Sequence, residues 1–362
     1  ALAAALQWYW IAGGSLREGR RWLAQALAAA DGQDLQPAIV RAMWVDAYLA
    51  LLRGETSLAV ARLDEAERIA RVVEAGELDG FIAQLRGMAA LFEGELEHAR
   101  HFYETALTRY EECGDTIAVV FMLFQLAVVC LFCGDHDVAA AHCERSIRLS
   151  ARFGERWAAS YALWVLALNR WSVGDYVSAT DLARESLRVK ADFGDHLGIA
   201  HMIEMLAWIA ASDGRYAEGA RLLGSAHALW HNLGTSMESF GTHLASCHAA
   251  TVARIREALG ADVTEALIAE GAATPTNPMM ADLTSDINKP ACEPVQKDAC
   301  TLTARELEVA ELVTRGMTNR QIAAKLVLSS RTIDSHVQHI LTKLGFSSRS
   351  QIASWFASVV RH

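Results

Sequence analysis

Apolar and small positions along the first two thirds of this chain recur at two periods at once. The short period is that of an amphipathic helix, with apolar residues three and four apart. The long period is forty residues, marked by Gly14, Gly54, Gly94, Gly134, Gly174 and Gly214. Five positions after each glycine stands a small residue: Gly19, Ala59, Ala99, Ala139, Ala179 and Gly219. Seven further on come Ala26, Ala66, Ala106, Ser146, Ser186 and Ala226, and seven before the glycine come Ala47, Gly87, Ala127, Ala167 and Ala207. Small side chains at fixed places let helices approach closely. The pattern predicts a repeated helical hairpin. Helix A runs up to the glycine, an acidic residue often follows (Glu55, Glu95, Asp135, Asp175), helix B comes next, and Gly114, Gly154, Gly194 and Gly234 mark a second turn. Such hairpins cannot bury a core alone and stack into a superhelix.

Beyond the sixth unit, Ser236 to Leu259 and Val263 to Glu270 read as one more helical pair that closes the exposed end. Pro275, Pro278, Pro290 and Pro294 then mark a linker. The expected organisation is an array over 1–272, a linker over 273–298 and a small domain over 299–362. In that last part Thr303 with Glu306, Thr318 with Gln321 and Ser348 with Gln351 are capping boxes that start three helices. A fourth helix starts after Ser329 and stops at Gly345. Ile333, Val337, Ile340, Leu341 and Leu344 recur at helical spacing and must face the core. Arg331, Thr332, Asp334, Ser335, Gln338, Thr342 and Lys343 are left outward. A DNA major groove admits such a helix, with polar side chains at base edges and flanking cations on phosphates.

Charge sharpens this division. The whole chain carries −10, yet Thr301 to His362 holds eight Arg and Lys against four Asp and Glu, a local +4. The array is therefore acidic and the small domain attracted to polyanions. A hydrophobic content of 52% with five prolines suits a mostly helical globular protein. The seven cysteines, Cys113, Cys130, Cys133, Cys143, Cys247, Cys292 and Cys300, are an odd number without a signal peptide, which reads as reduced thiols and a cytoplasmic location. Cys130 and Cys133 form a lone C-x-x-C without a second pair and are expected to pack. Ile117 to Cys133 is seventeen residues with only Gln125 polar, but lies in register as a helix A, so a core helix is expected rather than a membrane span. His336 and His339 sit three apart without a third ligand nearby, so no metal is expected. No Ser-His-Asp, metal or nucleotide constellation appears, so no enzyme is expected. The chain begins with Ala in what reads as mid-helix, so a fragment of a longer protein is expected.

The residues Leu302-Thr303, Arg305-Glu306, Val309, Gly316, Asn319, Ile322-Ala323, Leu326, Ser329, Thr332, His336, Ile340, Lys343-Leu344 and Arg349 resemble the LuxR-type (GerE-type) DNA-binding domain of bacterial transcription regulators. The resemblance implies a four-helix helix-turn-helix with Ser330 to Leu344 as recognition helix. Asp334, Ser335 and Gln338 fall where the family reads bases. Asn319, Ser330, Arg331, Thr332 and Lys343 fall where it holds the backbone, and the last helix offers Trp355 and Val359 for a dimer contact. Many members carry Lys at the place of Asp334; a carboxylate there cannot hold a phosphate but can accept from cytosine N4. The array resembles the tetratricopeptide repeat, as in GDYVSATDLARESL from Gly174 to Leu187, although that unit usually has thirty-four residues. Repeats followed by a LuxR-type domain resemble the large ATP-dependent LuxR regulators. No G-x-x-x-x-G-K-[ST] loop occurs here, so no cofactor is expected in this chain, and ATP only in an upstream domain.

In tetratricopeptide arrays helix A lines the concave face, where the matching positions hold Trp44, Tyr48, Phe124, Trp164, Leu168, Trp171, Glu204 and Trp208. They are a candidate groove for an inducer or partner protein; the alternative is that a wide repeat needs large side chains to fill its inner layer. The fold expected is thus all-α, a tetratricopeptide-like superhelix followed by a LuxR-type domain that binds double-stranded DNA as a dimer. The rival reading is a scaffold whose last domain docks proteins.

Overall fold

The computed structural model describes residues 2–29, 37–72, 78–275, 279–280, 283, 304–315, 317–326, 333, 336–337 and 340. It divides into two units, Ala1–Lys289 and Pro290–His362. Every described secondary-structure element is helical.

The first unit is an array of hairpins in which one chemistry repeats. After a short α1 (Leu2–Ala5), the hairpins are α2 (Gln7–Ala12) with α3 (Leu16–Ala29), α4 (Pro37–Leu51) with α5 (Thr56–Val72), and α6 (Asp79–Glu93) with α7 (Leu96–Cys113). They continue as α8 (Thr116–Phe132) with α9 (His136–Phe153), α10 (Trp157–Ser172) with α11 (Tyr176–Phe193), and α12 (His196–Ser212) with α13 (Tyr216–Leu233). The six repeat glycines and all four second-turn glycines have positive φ, for example 83° at Gly174 and 73° at Gly114. That left-handed conformation lets the chain leave one helix and enter the next within about two residues. Acidic caps help start the next helix: the carboxylates of Asp115, Asp175 and Asp195 accept from backbone N–H groups at 3.0, 3.1 and 2.9 Å.

Burial follows the small-residue pattern. Ala59, Ala99, Ala139 and Ala179 are fully buried, as are Ala47, Ala127, Ala167 and Ala207. Ser146 and Ser186 lie where helix B crosses helix A, and their hydroxyls donate to the carbonyls of Val120 and Ser160 at 3.1 and 2.7 Å. Ala26, the matching residue of the first hairpin, is exposed. Among the A helices, α12 and α8 are buried on all sides over Leu197–Ala211 and Val119–Leu131, respectively. The apolar run there is thus core, and among the described residues no helix is long and apolar enough to cross a membrane.

The end of the array departs from a simple added hairpin. A 3-10 turn, Met237–Phe240, breaks at Gly241 before α14 (Thr242–Leu259) and α15 (Ala261–Ala273). Its chain crosses the ends of three earlier A helices. Ser239 lies against Gly54, Thr242 against Gly94, and the His243 ring stacks on Phe132 with centroids 4.6 Å apart. The first hairpin closes the other side: Gly14 meets Leu233, and Trp8 stacks on Phe121 at 5.2 Å. The array's inner side is therefore occupied largely by its own chain.

In the second unit, α16 (Ala304–Thr314) and α17 (Asn319–Leu326) bury Val309, Ala310, Leu312, Val313, Ile322 and Ala323 in one cluster with Ile333, Val337 and Ile340. The Thr318 capping box is formed. The Thr318 amide donates to Gln321 Oε1 at 2.8 Å and the Gln321 amide to Thr318 Oγ1 at 3.4 Å. Thr303 and the Ser348 box lie outside the described residues.

Candidate functional site

The C-terminal unit presents a recognition-helix candidate through its buried side. Ile333, Val337 and Ile340, spaced four and three apart, are helical and buried. That spacing places the three on one helical stripe, which faces the core. Asn319 opens α17 and is half-buried. Asp334, Ser335, Gln338, Ser330, Arg331, Thr332, Lys343, Trp355 and Val359 lie outside the described residues.

In the array, the structure brings together three of the eight groove candidates. Tyr48, Phe124 and Trp164 line a cavity of about 100 Å³ together with Trp8, Trp157 and Tyr161. Trp44 sits beside it, its indole N–H donating to the Phe81 carbonyl at 2.8 Å. The others form no continuous groove with them. Leu168 and Trp208 are core, each 2% exposed. Trp171 packs on Trp208 and donates to Ser212 Oγ at 2.9 Å. Glu204 is buried and accepts from the indoles of Trp208 and Trp230 at 2.9 and 3.3 Å and from His248 Nδ1 at 2.6 Å. The cause is α13 and α14, whose Trp230 and His248 cover the last repeat where an open concave face was expected.

Tyr103, Gln125 and His201 are polar groups of this cavity's lining that were not among the groove candidates. Tyr103, on helix B of its hairpin, is fully buried, and its hydroxyl has no hydrogen-bond partner. Burial holds its pKa well above the ordinary phenol value, so it keeps its proton. A signal for it existed: Gly87 replaces the alanine of the other repeats, and a Cβ there would lie 2.5 Å from the Tyr103 ring. Gln125 Oε1 accepts from Gln84 Nε2 at 3.3 Å, while Gln84 Oε1 accepts from the Tyr110 hydroxyl at 2.8 Å. His201 Nδ1 donates to the Leu197 carbonyl at 3.0 Å, and burial brings its pKa down to about 4. The ring is thus neutral at pH 7 with Nε2 as acceptor. Behind the wall, the Asp195 carboxylate accepts from Trp157 Nε1 at 2.9 Å and from the Tyr161 hydroxyl at 2.8 Å. Lys190 Nζ lies 3.4 Å from that carboxylate and 3.1 Å from the centroid of the Tyr161 ring. Burial lowers the Lys190 pKa. This network fixes two wall aromatics without placing a charge on the lining. The C-x-x-C cysteines are free thiols, with Cys130 buried and its pKa raised by burial.

Residues 300–356 match the bacterial regulatory proteins of the luxR family (GerE). The C-terminal segment is a LuxR-type helix-turn-helix domain. The buried stripe of Ile333, Val337 and Ile340 is what such a recognition helix needs behind its reading face. A Mycobacterium tuberculosis (strain CDC 1551 / Oshkosh) protein named as an HTH-type transcriptional regulator is 35% identical over 147 residues, 40% of this chain and 16% of that relative. A match of 147 residues is longer than the whole Pro290–His362 unit, so it takes in part of the array. The chain thus spans 16% of the length of such relatives. The oxygen regulatory protein NreC of Staphylococcus aureus (strain JH9) is 41% identical over 54 residues, 15% of this chain and 25% of that protein. Among solved structures, a Rap protein complexed with Competence and Sporulation Factor is similar with a TM-score of 0.51 at 11% identity, covering 79% of this chain and 98% of that one. This likeness places the array among helical-repeat folds.

Proposed function

We propose that this chain is the sensor and output part of a bacterial transcription regulator. The LuxR-type domain binds double-stranded DNA, and the helical array binds an inducer or partner protein that governs this binding. The observation that carries the reading is the family match over 300–356, on a unit in which Ile333, Val337 and Ile340 are buried in one cluster. Asp334, Ser335 and Gln338 read bases; Asn319, Ser330, Arg331, Thr332 and Lys343 hold the backbone. Two domains sit on adjacent half-sites through Trp355 and Val359, because paired half-sites multiply the modest affinity of one small domain. The linker over 273–298 lets that pairing depend on the state of the array. The role is binding rather than catalysis.

The test is fluorescence anisotropy of a random-sequence duplex titrated with the whole chain at two salt concentrations. Binding that falls steeply with salt supports phosphate contacts. Absence of binding at both, with retention of an apolar protein ligand, would sink the reading in favour of a scaffold.

A further inference from the structure

The cavity of the array is lined by parts of the chain far apart in sequence. Trp8 comes from the first hairpin, Phe124 and Trp164 from the middle, and Phe240 and Leu244 from the crossing segment after the sixth. Among the described residues no carboxylate or cation lines it, and its one imidazole is neutral at pH 7. An anionic or cationic guest would lose its hydration there without a countercharge. The lining is not uniformly inert, however. The Tyr103 hydroxyl is a buried donor with nothing to donate to, a costly arrangement that a guest oxygen would relieve. The Gln125 oxygen is already engaged by Gln84, which leaves the Gln125 amide N–H groups as further donors on the same wall.

We infer that this cavity is a binding site for a compact, uncharged, ring-sized molecule with one hydrogen-bond-accepting oxygen, received by the Tyr103 hydroxyl. The inference rests on the array being the sensing part of the regulator and names the chemistry it senses. The volume of about 100 Å³ is of the order that holds a single small ring, since an engineered apolar cavity of about 150 Å³ takes up benzene. Aromatic walls supply the apolar contact, and the phenol selects the oxygen. Because Phe240 and Leu244 form part of the wall, a guest touches the segment that ties the end of the array to its beginning.

Cyclohexanone and cyclohexane, the same ring with and without the oxygen, are the probes, titrated into the whole chain and followed by ligand-observed NMR and tryptophan fluorescence. The native chain is expected to bind the ketone about tenfold more tightly than the hydrocarbon. In Tyr103→Phe that preference is expected to vanish while cyclohexane binding stays. The variant should fold at least as stably, because it removes an unpaired hydroxyl. Equal binding of the two probes by the native chain, an undiminished preference in Tyr103→Phe, or binding of neither probe overturns the inference. Met88→Trp, which fills the cavity, should abolish binding of both; binding that survives a filled cavity also overturns it. Anisotropy of the random-sequence duplex with and without cyclohexanone separates this from the broader reading. Ketone binding in the cavity with unchanged DNA affinity upholds the site and counts against control of DNA binding through it. DNA binding intact with no ketone bound counts against the site alone.

Discussion

The hydroxyl of Thr235 donates to the carbonyl oxygen of Leu52 at 2.5 Å, joining residues 183 apart in the chain. The contact belongs to a series. Phe240 meets Phe92 with ring centroids 6.0 Å apart and His243 stacks on Phe132, so the crossing segment touches Leu52, Phe92 and Phe132, the same place in three successive repeats. Gly241 makes the approach possible: its φ is 99°, its ψ 165°, and a Cβ there would lie 2.8 Å from Phe92 Cα. Thr235→Val is therefore expected to cost about 1 kcal/mol, one hydrogen bond. Gly241→Ala should cost about 2 kcal/mol or more, through backbone strain and displacement of the segment. Urea unfolding ranks the two. Hydrogen exchange over 237–244 should speed up in Gly241→Ala far more than in Thr235→Val; equal protection would mean that this segment does not hold the closure.

That crossing segment also marks where the sequence stopped being informative. Gly174 and its equivalents announce the hairpins because a left-handed turn demands glycine locally, and the small residues at Ala139 or Ala167 announce close helix contact. Val337 and Ile340 likewise reveal their buried face by spacing alone. What Phe240 and His243 touch is decided by the curvature of the whole array, which no local period encodes. The same is true of Trp8, Tyr103 and Phe240 sharing one cavity. Trp208 looked like a groove residue because a period gives the face of a helix, not whether α13 and α14 cover that face.

Among the glycines of the array, mutation can separate a conformational role from a packing role. Gly174 has positive φ, and a Cβ there would meet nothing within 4 Å, so Gly174→Ala should cost only the conformational penalty, about 1 kcal/mol. Gly224 and Gly271 have ordinary helical φ but sit where α13 and α15 touch backbone to backbone, against the carbonyls of Ile268 and Arg221 respectively, and Ser225 Oγ donates to the Gly271 carbonyl at 2.9 Å. Gly224→Ala must push the helices apart and should cost about 3 kcal/mol, loosening α15. Thermal unfolding of both variants checks this; a milder effect at Gly224 than at Gly174 would mean α15 is not docked as described.

Buried His201 and half-buried His248 should shape stability against pH with opposite signs. His201 has its pKa lowered to about 4 from an ordinary value of about 6.5, so its contribution is complete above the ordinary value. It is lost as pH falls through that range, on the order of 3 kcal/mol by pH 4. His248 is raised, chiefly by its hydrogen bond to Glu204, so its contribution is complete below about 6.5 and is lost as pH rises through the raised value. His201→Phe should therefore flatten the acid side of the stability profile. His248→Ala should be destabilised most near pH 6, with a deficit that shrinks toward pH 9. Denaturant midpoints from pH 4.5 to 9 test both, and a deficit for His248→Ala that grows with pH would contradict the assigned pair.

On DNA, the two kinds of contact proposed for the recognition helix should fail differently. Gln338 can give and take a hydrogen bond at an adenine edge, so Gln338→Ala is expected to change which sequence is preferred, at about 1 to 3 kcal/mol for the affected base pair. Lys343 can only neutralise a phosphate, so Lys343→Ala should weaken all sequences alike and lower the slope of log K against log salt by about one. Selection from a random duplex pool followed by salt titration on the winner distinguishes them. If Gln338→Ala selects the native sequence and merely binds it more weakly, the outward face read from the Ile333, Val337 and Ile340 stripe is turned away from the bases, and the reading side chains must be sought elsewhere on the domain.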